Sequence, residues 1–177
     1  MNDTRNVADK YKGWMEELIK EDLDKKAFPY ACLMEQWQGD FNIGTMVRNA
    51  NAFGAKEVFY IGERRKWDKR GSVGTYKYTS VNFLPSFEAL LELKKDYYFI
   101  GIDNIPGPDL VSLKDCVWPI ESLMIFGEEG IGLTPRMQEL CDMMVEIPMY
   151  GSVRSLNAGC TSAIIMNDYV TKRAACP

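Results

Sequence analysis

Short apolar runs that do not alternate with polar residues constrain the fold of this chain most. They read YACLME (30–35), EVFYIG (57–62), VNFL (81–84), YYFIGID (97–103), LMIFG (123–127) and MMVEIP (143–148). A strand with one wet face alternates apolar and polar residues, whereas a strand apolar at consecutive positions is covered on both faces. Between these runs lie segments with helical spacing. Ile43, Met46, Val47, Ala50 and Phe53 form one apolar stripe, with Asn42 placed to cap its start and Gly54 to stop it. SFEALLELKK reads as a helix capped by Ser86, TPRMQELC as a short helix with Pro135 in its first turn, and a last helix runs to about Lys172. Strands alternating with helices, and apolar on both faces, predict an α/β fold with a parallel sheet covered on both sides.

Composition narrows the chemistry. The chain has 177 residues and no histidine, which excludes Ser-His-Asp and Cys-His catalysis and removes the commonest metal ligand. Its five cysteines, Cys32, Cys116, Cys141, Cys160 and Cys176, form no CxxC pair. They read as reduced thiols of a cytoplasmic protein, with no metal site. No apolar run approaches the roughly 20 residues of a membrane helix, and the charged N-terminus does not read as a secretory signal. Residues 8–24 read as one amphipathic helix with Tyr11, Trp14, Met15, Leu18 and Ile19 on one side. The net charge of −4 gives no global basic footprint, so any nucleic-acid surface is local.

Three segments carry candidate chemistry. In NIGTMVR, Asn42, Thr45 and Arg48 are three apart and share a helical face just past the end of a strand, where open α/β sheets place their sites. In FGEEGIG, a strand ends in a glycine turn bearing Glu128 and Glu129, and this is not the GxGxxG of a dinucleotide fold. In IPMYGSVRSLNAGCTSAII, Ser155 is placed to cap a helix that begins with six small residues, Ala158 to Ala163. Gly159 there costs about 1 kcal/mol of helix stability relative to Ala, so it needs a packing or functional reason. A fourth segment is a long basic connection. Arg64, Arg65, Lys66, Lys69 and Arg70 surround Trp67, with Tyr76, Lys77 and Tyr78 following. Basic residues among aromatics suit phosphates and unpaired bases.

Taken in order, the first three segments resemble the motifs of the SpoU (TrmH) family of RNA ribose 2′-O-methyltransferases, in the SPOUT superfamily. NIGTMVRNANAFGA resembles N-x-G-x-x-x-R with its following FG, LMIFGEEGIGL resembles G-x-E-G, and CDMMVEIPMYGSVRSLNAG resembles CD…IPM-x-G…SLN. The resemblance spans about residues 30 to 172. It leaves residues 1–27 as an N-terminal helical extension to a methyltransferase domain over 28–177. It implies a SPOUT-type parallel-sheet α/β knot, a deep C-terminal trefoil, working as a homodimer with the site near the interface. It also implies S-adenosylmethionine as cofactor and RNA as substrate, with no metal and no membrane.

By motif position, the resemblance assigns Gly127, Ile147 and Leu156 to the cofactor, with Met149 and the turn at Ile102–Asn104, Ile102 and Asp103 above all, beside them. It assigns the catalytic roles to Asn42, Arg48, Glu129, Ser155 and Asn157. Glu129 is expected to orient Arg48. Arg48 matches the family's essential arginine, proposed there as the base. A guanidinium is a very poor base, so holding phosphate and stabilising the alkoxide is the easier role. RNA binding falls to Arg64, Arg65, Lys66, Lys69 and Arg70. Arg154 before SLN also occurs in members resembling the eukaryotic D-loop tRNA enzymes, which favours tRNA over rRNA. Glu128 and the SLNAG ending depart from the commoner small residue and SLNVS. The other readings are a catalytically silent RNA-binding dimer and a nucleotide-dependent oxidoreductase.

Overall fold

A computed structural model describes residues 3–36, 41–62, 67–105, 110–128 and 130–175. Seven strands are described: β1 (Phe28–Gln36), β2 (Ala55–Gly62), β3 (Val81–Leu84), β4 (Tyr98–Ile102), β5 (Leu110–Ser112), β6 (Ser122–Phe126) and β7 (Met143–Glu146). They form one sheet in the order β3-β2-β1-β6-β4-β7-β5, and every pairing is parallel. The expected parallel sheet is therefore present. β5 was not anticipated, because three residues are too few to show a pattern. Two later strands sit between earlier ones: β6 pairs with β1 and β4, and β7 with β4 and β5.

Five α-helices are described: α1 (Glu16–Asp24), α2 (Phe41–Ala52), α3 (Phe87–Glu92), α4 (Pro135–Leu140) and α5 (Ala158–Ala174). Both faces of the sheet are covered, as the unbroken apolar runs require. Tyr30, Cys32 and Met34 of β1 pack with Ile43, Met46, Val47 and Ala50 of α2 and with Ile165, Met166 and Tyr169 of α5. Ala31 and Leu33, one residue out of phase, pack with Leu90 of α3 and Met137 of α4. α5 is anchored along its length. The Tyr169 ring packs tilted against Tyr30, 4.5 Å between centres, and its hydroxyl donates to the Ile120 carbonyl at 2.6 Å, while the Trp118 indole donates to Asp168 at 2.7 Å.

The N-terminal segment corrects the single helix expected over 8–24. Gly13, at φ +79°, breaks it into a 3-10 turn at Asp9–Tyr11 and the separate helix α1. A side chain at that φ is strained, so glycine marks the bend. With the bend, Tyr11 and Ile19 are buried against Tyr78, while Trp14, Met15 and Leu18 remain exposed. Lys20 donates to Ser80 at 2.9 Å and Lys77 pairs with Glu16 at 2.5 Å. This arm therefore lies on the segment leading into β3.

Candidate active site

In a parallel sheet the loops after successive strands gather at one end. Here the loops after β4, β6 and β7 enclose a cleft of about 550 Å³. Ile102, Asp103, Gly127, Ile147, Met149 and Leu156, all expected around a cofactor, line it together with Ser155 and Asn157. Residues up to 55 positions apart in the chain are thus brought to one cleft.

The walls are built mainly from backbone hydrogen bonds. After β6 the chain doubles back: Glu128 N–H donates to the Gly132 carbonyl at 3.1 Å and Gly132 N–H to that of Glu128 at 2.8 Å. A Cβ on Gly127 would run into the Gly132 carbonyl carbon and the Leu133 nitrogen, so this glycine is needed for close approach. Asp103 accepts from Asn104 N–H at 2.7 Å through Oδ1 and from Leu133 N–H at 2.8 Å through Oδ2. Asn104 ties the β4 loop to the β7 loop. Its Nδ2 donates to the Ile147 carbonyl at 3.2 Å and its Oδ1 accepts from Ile147 N–H at 3.3 Å.

The cap of α5 differs from expectation. Asn157, not Ser155, caps the helix: its Oδ1 accepts from Gly159 N–H at 2.9 Å and from Cys160 N–H at 3.3 Å. The helix begins at Ala158, three residues beyond the serine, which is left exposed at the cleft. Asn42 is not a cap either, because α2 already starts at Phe41. Its Oδ1 accepts instead from Asn157 Nδ2 at 3.1 Å. The two asparagines expected at the site are thus bonded to each other, joining the start of α2 to the start of α5.

Gly159 also finds its reason. A Cβ there would lie 2.7 Å from Thr45 Cγ2, so α2 and α5 cross too closely for any side chain. Asn49, which the motif reading passed over, bonds across the same crossing. Its Nδ2 donates to the Gly159 carbonyl at 2.8 Å and to Ser162 Oγ at 2.9 Å. The available signal was position, since Asn49 is one turn beyond Thr45 on the shared face. Arg48 is exposed on α2, outside the cleft lining and without a hydrogen bond or ion pair to any described residue.

Among the expected RNA-binding residues, Arg64, Arg65 and Lys66 lie outside the described residues, as does the expected catalytic Glu129. Lys69 and Arg70 are exposed. Arg70 pairs with Asp68 at 2.6 Å, holding that carboxyl below the usual carboxylate range, and the Lys69 ammonium lies 4.4 Å from the centre of the Tyr76 ring. This segment packs on α2 through two glycines: a Cβ on Gly44 would lie 2.6 Å from the Asp68 carbonyl and 3.2 Å from Gly71 Cα. Two of the described thiols, Cys116 and Cys141, do not suit nucleophilic work. Burial pushes Cys116 up to about 11 and Cys141 up to about 12. Among the described residues no cluster of His, Cys, Asp and Glu has metal-binding geometry, and no helix is long and apolar enough to cross a membrane.

Residues 30–167 match the model of the SpoU rRNA Methylase family. A putative TrmH family tRNA/rRNA methyltransferase, YacO of Bacillus subtilis (strain 168), is 26% identical over 166 residues, covering 90% of this chain and 65% of that protein. The chain thus spans about two thirds of the length of such relatives. The solved TrmH/SpoU tRNA modifying enzyme of A. aeolicus superposes with a TM-score of 0.78 at 21% identity, over 90% of this chain and 83% of that one. The SpoU methyltransferase AviRb from Streptomyces viridochromogenes, solved in complex with AdoMet, gives a TM-score of 0.74 at 27% identity, over 82% of this chain and 58% of that one.

Proposed function

Because this chain belongs to the SpoU rRNA methylase family, we propose that it transfers a methyl group from S-adenosylmethionine to a ribose 2′-hydroxyl of RNA, with tRNA favoured over rRNA. The observation that carries this reading is the convergence on one cleft. The three residues that the motifs assign to the donor, Gly127, Ile147 and Leu156, line it with the three expected beside them, Ile102, Asp103 and Met149, and Asn157 on its rim is bonded to Asn42, at the start of the helix that bears Arg48.

The cleft fits such a donor. Its volume of about 550 Å³ is in the ligand-site range, roughly 300–1,000 Å³. Ile102, Ile147 and Leu156 offer apolar walls to a flat base, and Gly127 leaves backbone within reach of a polar edge. The donor's sulfonium supplies an activated methyl group. The protein then has to align the ribose oxygen and stabilise it as its proton leaves. Arg48 binds the phosphate beside the target ribose and offsets the developing negative charge, since a guanidinium presents five donors and does not deprotonate. Asn42 and Asn157 hold α2 and α5 together beneath that position. Glu129 orients Arg48, and Ser155 contacts the ribose. Arg64, Arg65, Lys66, Lys69 and Arg70 grip flanking phosphates, a contact that salt weakens strongly.

The working form is a homodimer. Ile131, Tyr150, Val153 and Leu156 are exposed apolar side chains around the cleft, which a second copy would cover. The C-terminal segment from the β6 loop to α5 forms a trefoil knot, a reading supported by the insertion of β6 and β7 between earlier strands. The unpaired thiols of Cys32, Cys116, Cys141 and Cys160 suit the cytoplasm.

The test is transfer of labelled methyl from S-adenosylmethionine to unmodified tRNA and rRNA, run beside Arg48→Ala. Label recovered in a 2′-O-methyl nucleotide, and lost in the variant, supports the enzyme. RNA binding without label in any RNA supports the silent binder instead.

A further inference from the structure

Glu35, the last residue but one of β1, has an unusual setting. It is completely buried, and burying a carboxylate is unfavourable unless hydrogen bonds replace its water. Its Oε2 accepts from Thr134 N–H at 2.9 Å and its Oε1 accepts from the Thr134 hydroxyl at 2.5 Å. That hydroxyl accepts in turn from Met137 N–H and caps α4. One residue earlier, Leu133 N–H donates to Asp103 at the end of β4. β1 and β4 are the two strands that flank β6. Two carboxylates from opposite sides therefore hold successive backbone N–H groups where the loop after β6 returns. That loop contributes Gly127, Glu128, Gly130, Ile131 and Gly132 to the cleft.

We propose that Glu35 and Asp103 are positioning residues for methyl-donor binding, a paired clamp that fixes the loop after β6 in the shape the donor meets. This rests on the reading that the cleft takes S-adenosylmethionine. It changes the role of Asp103, whose two oxygens each bond a backbone N–H, from donor contact to loop holder. It also gives Glu35 a role in donor binding although it does not line the cleft. A polar clamp suits this task better than apolar packing would. Hydrogen bonds fix the direction of each N–H, and Gly130 (φ +92°) and Gly132 (φ +79°) give the returning part of the loop a backbone freedom that such bonds restrict.

The test uses Glu35→Ala, Glu35→Gln, Asp103→Asn and Thr134→Val in the full chain, with two readouts. Amide exchange in donor-free protein follows Leu133 and Thr134, and steady-state kinetics separate KM for the donor from KM for RNA and from kcat. The clamp predicts faster exchange at both amides in Glu35→Ala and Asp103→Asn. It also predicts a donor KM raised about ten- to a hundredfold, the equivalent of one or two hydrogen bonds to a charged group. kcat and the RNA KM stay near wild type, a pattern a merely destabilised fold does not give. Glu35→Gln recovers most of the loss, because its carbonyl still accepts from Thr134 N–H and its amide can donate to the hydroxyl. If Glu35→Ala does not fold, Glu35→Gln and Thr134→Val carry the same test with smaller effects. Faster exchange with unchanged donor KM would overturn the proposal. Wild-type protein that binds no S-adenosylmethionine would overturn the donor reading itself, before any variant is compared.

Discussion

The cleft loops and the N-terminal arm are attached to the same sheet by different kinds of contact. The loops after β4, β6 and β7 are joined by hydrogen bonds, Asp103 accepting from Leu133 N–H and Asn104 both donating to and accepting from the Ile147 backbone, while Asn157 caps α5 beside them. The arm is seated by Tyr11 and Ile19 against Tyr78, with exposed charge pairs around them. Apolar seating is non-directional and tolerates small shifts, while hydrogen bonds fix orientation. Where chemistry needs geometry, polar side chains set it; where the chain only needs cover, burial suffices. Changes near the cleft should therefore alter function out of proportion to stability, and changes in the arm should do the reverse.

Arg48→Ala is the strongest test on the functional side. Arg48 is exposed and bonds to no described residue, so its removal leaves the thermal midpoint near wild type. Methyl transfer should nevertheless fall roughly a hundred- to a thousandfold, the loss usual for one well-placed electrostatic group. Donor binding by calorimetry should not change. A variant that loses donor affinity would place Arg48 on the donor side of the reaction instead.

Gly159→Ala comes next and tests the crossing of α2 and α5. On propensity alone it should stabilise the helix by about 1 kcal/mol. The added Cβ meets Thr45 Cγ2 at 2.7 Å, and overpacking of that kind costs about 1–3 kcal/mol. Net destabilisation in denaturant is expected, and Thr45→Ser, which removes the opposing methyl, should relieve it. If Gly159→Ala is more stable than wild type, the two helices are free to separate and the Asn42–Asn157 link does not depend on their spacing.

These two residues also mark what was legible in the sequence. Arg48 and Gly159 stood out because motif spacing and helix propensity are local properties. The parallel sheet was legible for the same reason, since apolar runs signal burial on both faces. Strand order was not, because nothing local in 123–127 or 143–148 says that β6 enters between β1 and β4 or β7 between β4 and β5. Ser155 and Asn157 are both good caps, and which one acts depends on where the preceding loop releases the chain. The bond from Asn42 to Asn157 joins residues 115 positions apart, so the helical face of Asn42 was readable but its partner was not. Glu35 looked like the end of an apolar run, and its use appears only once Thr134 is beside it.

Asn104→Ala is a gentler break in the cleft. It removes two bonds to Ile147, each contributing about 1 kcal/mol, so donor affinity should fall by up to about thirtyfold. Isothermal titration with S-adenosylmethionine measures it directly. Unchanged affinity would mean that the β7 loop holds its shape without the β4 loop.

The smallest effect belongs to the arm, through Asp22. Lys26 bonds both of its oxygens at 2.6 Å and the Tyr11 hydroxyl donates to it at 2.7 Å. Lys26 first, and then Tyr11, hold its pKa below the ordinary value of 3.8. A carboxyl depressed in the folded state stabilises that state at pH above its unfolded pKa, and the contribution is lost as pH falls through the folded value. The arm is therefore fully seated at neutral pH and loosens below about pH 4. Salt weakens the same contact, because the Lys26 ammonium is largely exposed. Amide protection over α1, corrected for intrinsic exchange, should fall with pH in the wild type and fall less in Asp22→Asn, where only the other arm carboxylates, Glu16 and Asp24 among them, still titrate. Donor affinity should be the same in both at neutral pH, because the arm lines no part of the cleft. Should Asp22→Asn weaken the donor as Asn104→Ala does, the arm and the cleft would form one cooperative unit, and the arm's hold on Tyr78 would reach the active site through the segment that packs Gly71 against Gly44.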